Sequence, residues 1–189
     1  MRVNIRNKQL FSEIIQRMFH GFDLPEINGL TIDSRNVERG DIFLPLKGNN
    51  FDGHQFISQA EAAGASLAFV ENPIGTSLFT KQVQSTKSLL YDLVREYRSQ
   101  LAYPFIGITG SNGKTTTKDL LCHVLSDQMN VMRTEGNFNS TTGAPLSLLA
   151  FNTESDIAVI EIGANHPGEI ETICNIIQPN MGLITNIGE

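Results

Sequence analysis

Tryptophan is absent from this sequence, aromatics make up only 7% of it, and it holds just two cysteines. β-Sandwich cores lean on aromatic anchors, so the composition suits an α/β protein with tight glycine loops better. The 40% of apolar residues in a 189-residue chain is enough to bury a core. The two thiols, Cys122 and Cys174, fall on separate predicted helices without metal-type spacing. They exclude a disulfide framework and fit two packed thiols of a reduced, cytoplasmic protein. Positive charge is scarce as well, with 14 Lys and Arg against 20 Asp and Glu and a formal net charge of −6. No nucleic-acid partner is expected from that balance, which is still compatible with a local basic pocket for a phosphorylated ligand. Long apolar runs are missing. Arg2, Arg6, Lys8, Glu13 and Arg17 interrupt the N-terminal stretch, so neither a secretory leader nor membrane insertion is expected. Repeats and low-complexity tracts are missing too.

What is present is concentrated at Thr109-Gly110-Ser111-Asn112-Gly113-Lys114-Thr115-Thr116. An apolar run, Phe105 to Ile108, precedes it, and a segment with helical periodicity (Leu120, Leu121, Val124, Leu125) follows. A strand, a glycine loop and a helix opening on Lys-Thr make a phosphate cradle. Glycines let backbone N–H groups approach phosphate oxygens, and the helix N-terminus adds partial positive charge. Lys114 is placed to reach the β- and γ-phosphates, and the Thr115 hydroxyl to bind Mg²⁺. The general G-x-x-x-x-G-K-[ST] pattern puts its first glycine at position 108, which is Ile108, with Gly107 one place early.

From Pro104 onward the pattern alternates: strand 105–109, helix 114–128, strand 131–134, helix near 143–150, strand 156–162, helix 168–177, strand 181–186. The strands are continuous apolar runs, as parallel strands covered on both faces should be. This predicts a doubly wound, mostly parallel sheet. The earlier half reads as a smaller α/β domain. It has helices over 8–20 and 85–101, short strands at 30–33, 41–46 and 66–70, and a helix introduced by Asp52-Gly53, with Asp52 as N-cap. Domains of 1–102 and 103–189 follow, divided near Ala102-Tyr103-Pro104.

In an open parallel sheet, ligands bind beyond the carboxyl ends of the strands. Glu161 ends the run Ala158-Val159-Ile160, so it is expected beside the phosphate loop and able to hold Mg²⁺. Glu135-Gly136-Asn137-Phe138-Asn139 and Gly163-Ala164-Asn165-His166 follow strands to the same edge. Asn137 and Asn139 offer donors and acceptors for phosphate or carboxylate oxygens, although Asn-Gly clusters are also plain turns. In the first half, Asp33-Ser34-Arg35 and the stretch Lys47 to His54 are the polar clusters. Arg35 and Lys47 suit a diphosphate, while composition alone favours ordinary solvated charges.

Together these motifs resemble the Mur ligases, the ATP-dependent amide ligases of peptidoglycan precursor synthesis, whose phosphate loop also lacks the standard first glycine. Asp33-Ser34-Arg35, Gly40-Asp41-Ile42-Phe43, Lys47-Gly48 and Phe51-Asp52-Gly53-His54 are similar to the UDP-binding domain of the two late-acting members. Gly136-Asn137-Phe138-Asn139 and Glu161 to Ile170 resemble the branch that joins D-alanyl-D-alanine to UDP-MurNAc-tripeptide. Ser140 stands where that branch has a second Asn. The resemblance implies ATP and Mg²⁺ at Gly110 to Thr116, Asn137, Asn139 and Glu161, with Lys114 and Glu161 catalytic. It implies substrate contacts at Asp33, Ser34, Arg35, Lys47, Phe51, Asp52, Gly53, His54, Asn165 and His166. The implied reaction passes through an acyl phosphate that the amine of D-alanyl-D-alanine then attacks. The alternatives are the branch that adds the third peptide residue and, from another class, a P-loop switch protein. Asn7-Lys8-Gln9-Leu10 fails the base-reading motif of the latter. The family pattern runs on past Glu189, so the 189 residues alone are expected to be inactive as a ligase.

Overall fold

Short apolar runs in the first half and longer ones in the second build two separate sheets. The computed structural model describes residues 1–48, 51–136 and 138–188. Its contacts divide the chain into two compact units, Met1–Leu93 and Val94–Glu189. That division lies within a helix, earlier than the 102/103 boundary expected from Pro104.

The first unit holds β1 (Arg2–Asn4), α1 (Lys8–Met18), β2 (Gly29–Thr31), β3 (Ile42–Phe43), α2 (Ile57–Ala62), β4 (Leu67–Val70) and β5 (Thr80–Gln82). The next helix, α3 (Thr86–Ser99), runs across the division. The strands lie in sequence order, with β1 antiparallel to β2 and the other pairs parallel. The Asn7 side chain caps α1 by accepting from the Leu10 N–H at 2.9 Å, and Phe11, Ile14 and Ile15 form the helix's buried stripe. Phe43, Ile57, Ala60, Ala68 and Val70 pack together in the core.

The second unit holds β6 (Phe105–Thr109), α4 (Lys114–Leu125), β7 (Val131–Arg133), α5 (Gly143–Ser147), β8 (Ile157–Glu161), α6 (Glu169–Ile177) and β9 (Met181–Ile184). The sheet order is β7-β8-β6-β9, all parallel. The β6-to-β7 connection steps over β8 in one direction, and the β8-to-β9 connection steps over β6 in the other. Right-handed crossovers therefore put α4 and α6 on opposite faces, which makes the sheet doubly wound as expected. α4 packs through Cys122 onto Ile108 and Val159, with Leu121 and Leu125 alongside. Leu120 and Val124 of the periodic run point elsewhere and are 62% and 69% exposed. At the end of α6, the Arg98 guanidinium stacks on Phe105 at 3.8 Å and donates to the Ile177 carbonyl at 2.7 Å. A cation there complements the helix dipole. Among the described residues no helix is long and apolar enough to cross a membrane.

Candidate functional site

The switch of winding direction opens a crevice at the carboxyl ends of β6 and β8, which pair with Ile108 opposite Glu161. The loop Gly110 to Gly113 leaves β6 at that edge. Gly110 has φ of +139°, and a Cβ there would collide with the Thr185 hydroxyl and lie 2.9 Å from the Asn186 carbonyl oxygen. Gly113, at φ +80°, is the left-handed residue from which α4 starts. Ile108, standing where the general motif has glycine, is fully buried in the strand and packs against α4.

Lys114 folds back over the loop, donating from Nζ to the Gly110 carbonyl at 2.6 Å and reaching the Ser111 carbonyl at 3.4 Å. Two of the loop N–H groups are engaged by the protein: Ser111 donates to the Asn186 carbonyl at 3.1 Å and Asn112 to Asn186 Oδ1 at 2.9 Å. The first turn of α4 then presents its own N–H groups, among them those of Thr115 and the exposed Thr116. The Thr115 hydroxyl donates to Glu161 Oε2 at 2.8 Å. Asn139 Nδ2 donates to Glu161 Oε1 at 2.8 Å, and the Asn139 carbonyl accepts from the Gly163 N–H at 2.7 Å. Loop, carboxylate and Asn139 thus meet as the sequence placed them. Asn137 lies outside the described residues, as do Asn49, Asn50 and Glu189.

Two residues that sequence reasoning passed over complete this cluster. Lys118 is 4% exposed and Glu161 3%. Lys118 Nζ donates to the Thr134 carbonyl at 3.1 Å and lies 3.8 Å from Glu161 Oε2. The Thr134 hydroxyl accepts from the Glu161 N–H at 2.9 Å. Lys118, Leu121, Cys122 and Leu125 fall at helical i, i+3, i+4, i+7 spacing, so a lysine on the inward stripe was the available signal. Asn165 and His166 are exposed, and no bond joins their side chains to the cluster; their N–H groups both bond the Glu169 carboxylate, at 2.7 and 3.2 Å. Among the described residues no group of three or more His, Cys, Asp and Glu could hold a metal by itself. Thr115 and Glu161 are hard oxygen donors on one side only, which fits Mg²⁺ completed by phosphate and water.

In the first unit, Asp33, Ser34, Arg35, Phe51, Gly53 and Phe56 line a cavity of about 570 Å³, together with Met1, Ile32, Phe43 and Gln59. The rings of Phe51 and Phe56 stack at 5.6 Å. The Arg35 guanidinium forks onto the Asp33 carboxylate at 2.9 and 2.8 Å. The Arg35 side chain, then its N–H, pull the Asp33 carboxyl down from 3.8 to about 2. A depressed carboxyl stabilises the fold above its ordinary value, and the gain disappears as pH falls through the bound one. Acid titration is therefore expected to loosen this turn between pH 3.8 and about 2. An Asp33→Asn chain should have lost the pH dependence of that step, followed by NMR shifts of Ser34 and Arg35. Lys47 is exposed and does not line the cavity; its backbone bridges to Asp52. Asp52 caps the turn into α2, accepting from the His54 N–H at 3.0 Å. His54 has both ring nitrogens engaged, Nδ1 with Asp52 at 2.6 Å and Nε2 with the Glu71 N–H at 3.1 Å. Nε2 must accept there, so Nδ1 carries the proton, and the ring works as a latch rather than a free ligand.

Known proteins match both units. Residues 26–97 match the model of the Mur ligase family, catalytic domain, and residues 108–189 that of the Mur ligase middle domain. The UDP-N-acetylmuramoyl-tripeptide--D-alanyl-D-alanine ligase of Bacillus subtilis is 42% identical over 167 residues, covering 86% of this chain and 36% of the relative. A crystal structure of MurF from Acinetobacter baumannii superposes with TM-score 0.84 at 38% identity, over 100% of this chain and 41% of that one. MurF ligase from Thermotoga maritima in complex with ADP gives TM-score 0.73 at 35% identity, over 84% of this chain and 37% of its own. The chain therefore spans well under half the length of these relatives. With both units matched and the phosphate loop built as described, the chain belongs to the Mur ligase family.

Proposed function

We propose that this chain supplies the precursor-binding and nucleotide-binding parts of an ATP-dependent ligase that joins D-alanyl-D-alanine to UDP-MurNAc-tripeptide. The observation that carries the reading is the convergence of Lys114, Thr115, Asn139 and Glu161 at the carboxyl ends of β6 and β8. The relative in complex with ADP supports a nucleotide there. Thr115 and Glu161 would hold Mg²⁺, which supplies charge neutralisation on the phosphates when bound. Lys114 exchanges its loop carbonyls for phosphate oxygens. The tripeptide carboxylate then attacks the γ-phosphate, breaking its bond to the β-phosphate to give an acyl phosphate and ADP. The amine of D-alanyl-D-alanine attacks the acyl carbon, gives up a proton to solvent and expels inorganic phosphate, leaving the amide. The branch adding the third peptide residue is the less favoured reading, because the relatives at 42% and 38% identity carry the D-alanyl-D-alanine name or MurF.

The first-unit cavity takes the UDP end. Phe51 and Phe56 offer a flat apolar wall to the base, and Arg35 lies at the rim for the diphosphate. Calorimetry with UDP-MurNAc-tripeptide tests this. Arg35→Ala is expected to weaken binding roughly tenfold or more, since a charge-assisted bond to phosphate is worth about 1.5–3 kcal/mol. Equal affinity in wild type and variant would move the diphosphate site elsewhere.

A further inference from the structure

Lys118 is a buried cation that neither the phosphate loop nor the substrate cavity uses. It leaves α4 one turn after Thr115, on the face turned toward the sheet. Its ammonium bonds the Thr134 carbonyl at 3.1 Å, just past the end of β7, and stands 3.8 Å from Glu161 Oε2 at the end of β8. Asp119 Oδ1 is 3.6 Å away, and Arg133 in turn reaches Asp119 at 3.9 Å. The Thr134 hydroxyl accepts from the Glu161 N–H, so one residue of the β7 end holds both Lys118 and the backbone of Glu161. Glu161 Oε2 thus has two neighbours of opposite accessibility: Thr115, which is exposed, and Lys118, which is sealed from solvent.

From this geometry we infer that Lys118 is a positioning residue for the metal-nucleotide site, acting through Glu161. A carboxylate that is almost wholly buried needs a partner charge or full hydrogen bonding to keep one orientation. Thr115 bonds Oε2 from the exposed side and must rearrange when a divalent cation takes that oxygen, while Asn139 keeps its bond to Oε1. Lys118 does not have to move, because an ion entering beside Thr115 arrives on the open side of the carboxylate. The ammonium therefore holds Glu161 from behind both before and after loading. Outer-shell partners of this kind set the orientation of the ligand rather than touching the ion.

The inference rests on the nucleotide reading of the site, and the test separates the two. Mn²⁺ is titrated into the chain with and without ADP, free Mn²⁺ being read by electron paramagnetic resonance and ADP affinity by calorimetry. The wild-type chain is expected to bind ADP more tightly with Mn²⁺. Lys118→Met, close in size but uncharged, is expected to need about 10–100-fold more Mn²⁺ for the same enhancement, the usual cost of losing an outer-shell partner. Its metal-free ADP affinity should remain near wild type. Equal or tighter Mn²⁺ binding in Lys118→Met would overturn the positioning role and leave the nucleotide site standing. A parallel loss of ADP affinity with and without metal would reduce Lys118 to a structural residue and overturn it too. No metal-dependent ADP binding by the wild-type chain would remove the nucleotide reading and this inference with it. Should Lys118→Met fail to fold, the wild-type chain still decides. The ¹⁵Nζ resonance of Lys118 should shift on adding Mg²⁺ with ADP and stay put with ADP alone, and an unmoved signal refutes the inference.

Discussion

Replacing Lys114 with alanine is expected to cut the turnover of a ligase carrying this region by a factor of about 10²–10³ or more, while leaving its fold intact. Phosphoryl transfer asks the protein mainly for positioning and charge neutralisation, so a lysine on the β- and γ-phosphates acts on the barrier directly. Among the described residues, Nζ holds two neutral carbonyl oxygens, at 2.6 and 3.4 Å, and a polyphosphate outcompetes them. The fold should survive because Lys114 is the first residue of α4 and only partly buried, and its Nζ bonds go to loop carbonyls. Alanine is also the better helix former. Phosphate release measured with ATP, Mg²⁺, UDP-MurNAc-tripeptide and D-alanyl-D-alanine reads the loss, and circular dichroism reads the fold. Near-normal turnover in the variant would sink the phosphate-loop assignment.

The second sheet was readable from the chain because its strands are long apolar runs separated by helical periods. The two central strands, β6 and β8, are largely buried, as near-continuous apolar parallel strands should be. The apolar edge strand β9, however, is exposed along its length and β7 has no buried residue, against the expectation that all four are covered on both faces. The first unit was harder. β1 contributes one buried side chain, Val3, between Arg2 and Asn4, and β5 (Thr80–Gln82) contributes none that is fully buried. Such edge strands are held by neighbours and by ion pairs rather than by pattern. The expected strands over 30–33 and 41–46 shorten to Gly29–Thr31 and Ile42–Phe43. Asp33 turns out to cap the following turn, and Asp41 is held by a side-chain network.

At the site, the glycine loop and Glu161 were legible because both follow strands to one edge, and the edge is a rule of the fold. Lys118 was not, because lysine in an amphipathic helix reads as solvated until its partners across the sheet are known. At His54 the pattern hides a structural role. It sits in a polar, substrate-like cluster, yet Asp52 and the Glu71 N–H use both of its nitrogens.

The largest stability effect is expected at Asp41, a residue outside every proposed contact with substrate. Its carboxylate is 0% exposed and accepts three bonds: Arg2 Nε at 2.7 Å, a second Arg2 nitrogen at 2.9 Å and the Glu38 N–H at 2.8 Å. Arg2 belongs to β1 and Asp41 immediately precedes β3, so the pair clamps the antiparallel edge strand across β2. Gly29 of β2 leaves the room: a Cβ there would sit 2.8 Å from Asp41 Oδ1 and 2.5 Å from the Val3 carbonyl oxygen. Asp41→Ala removes the buried partner of Arg2, leaving it Glu38 at 2.9 Å and Asn4 at 2.7 Å among the described residues, and takes the acceptor from the Glu38 N–H. Breaking one side of a buried pair costs about 3–5 kcal/mol, a large share of what holds a small domain folded. β3 carries Phe43 into the wall of the cavity, so loss of this clamp should also weaken the proposed binding of UDP-MurNAc-tripeptide. Urea unfolding followed by circular dichroism and amide exchange of β1 to β3 measures the effect. The double replacement Arg2→Met with Asp41→Leu should recover much of the loss, because an apolar pair of similar size strands no charge. A single Asp41→Ala chain within about 1 kcal/mol of wild type, the range of an exposed pair, would show that the clamp does not hold the sheet.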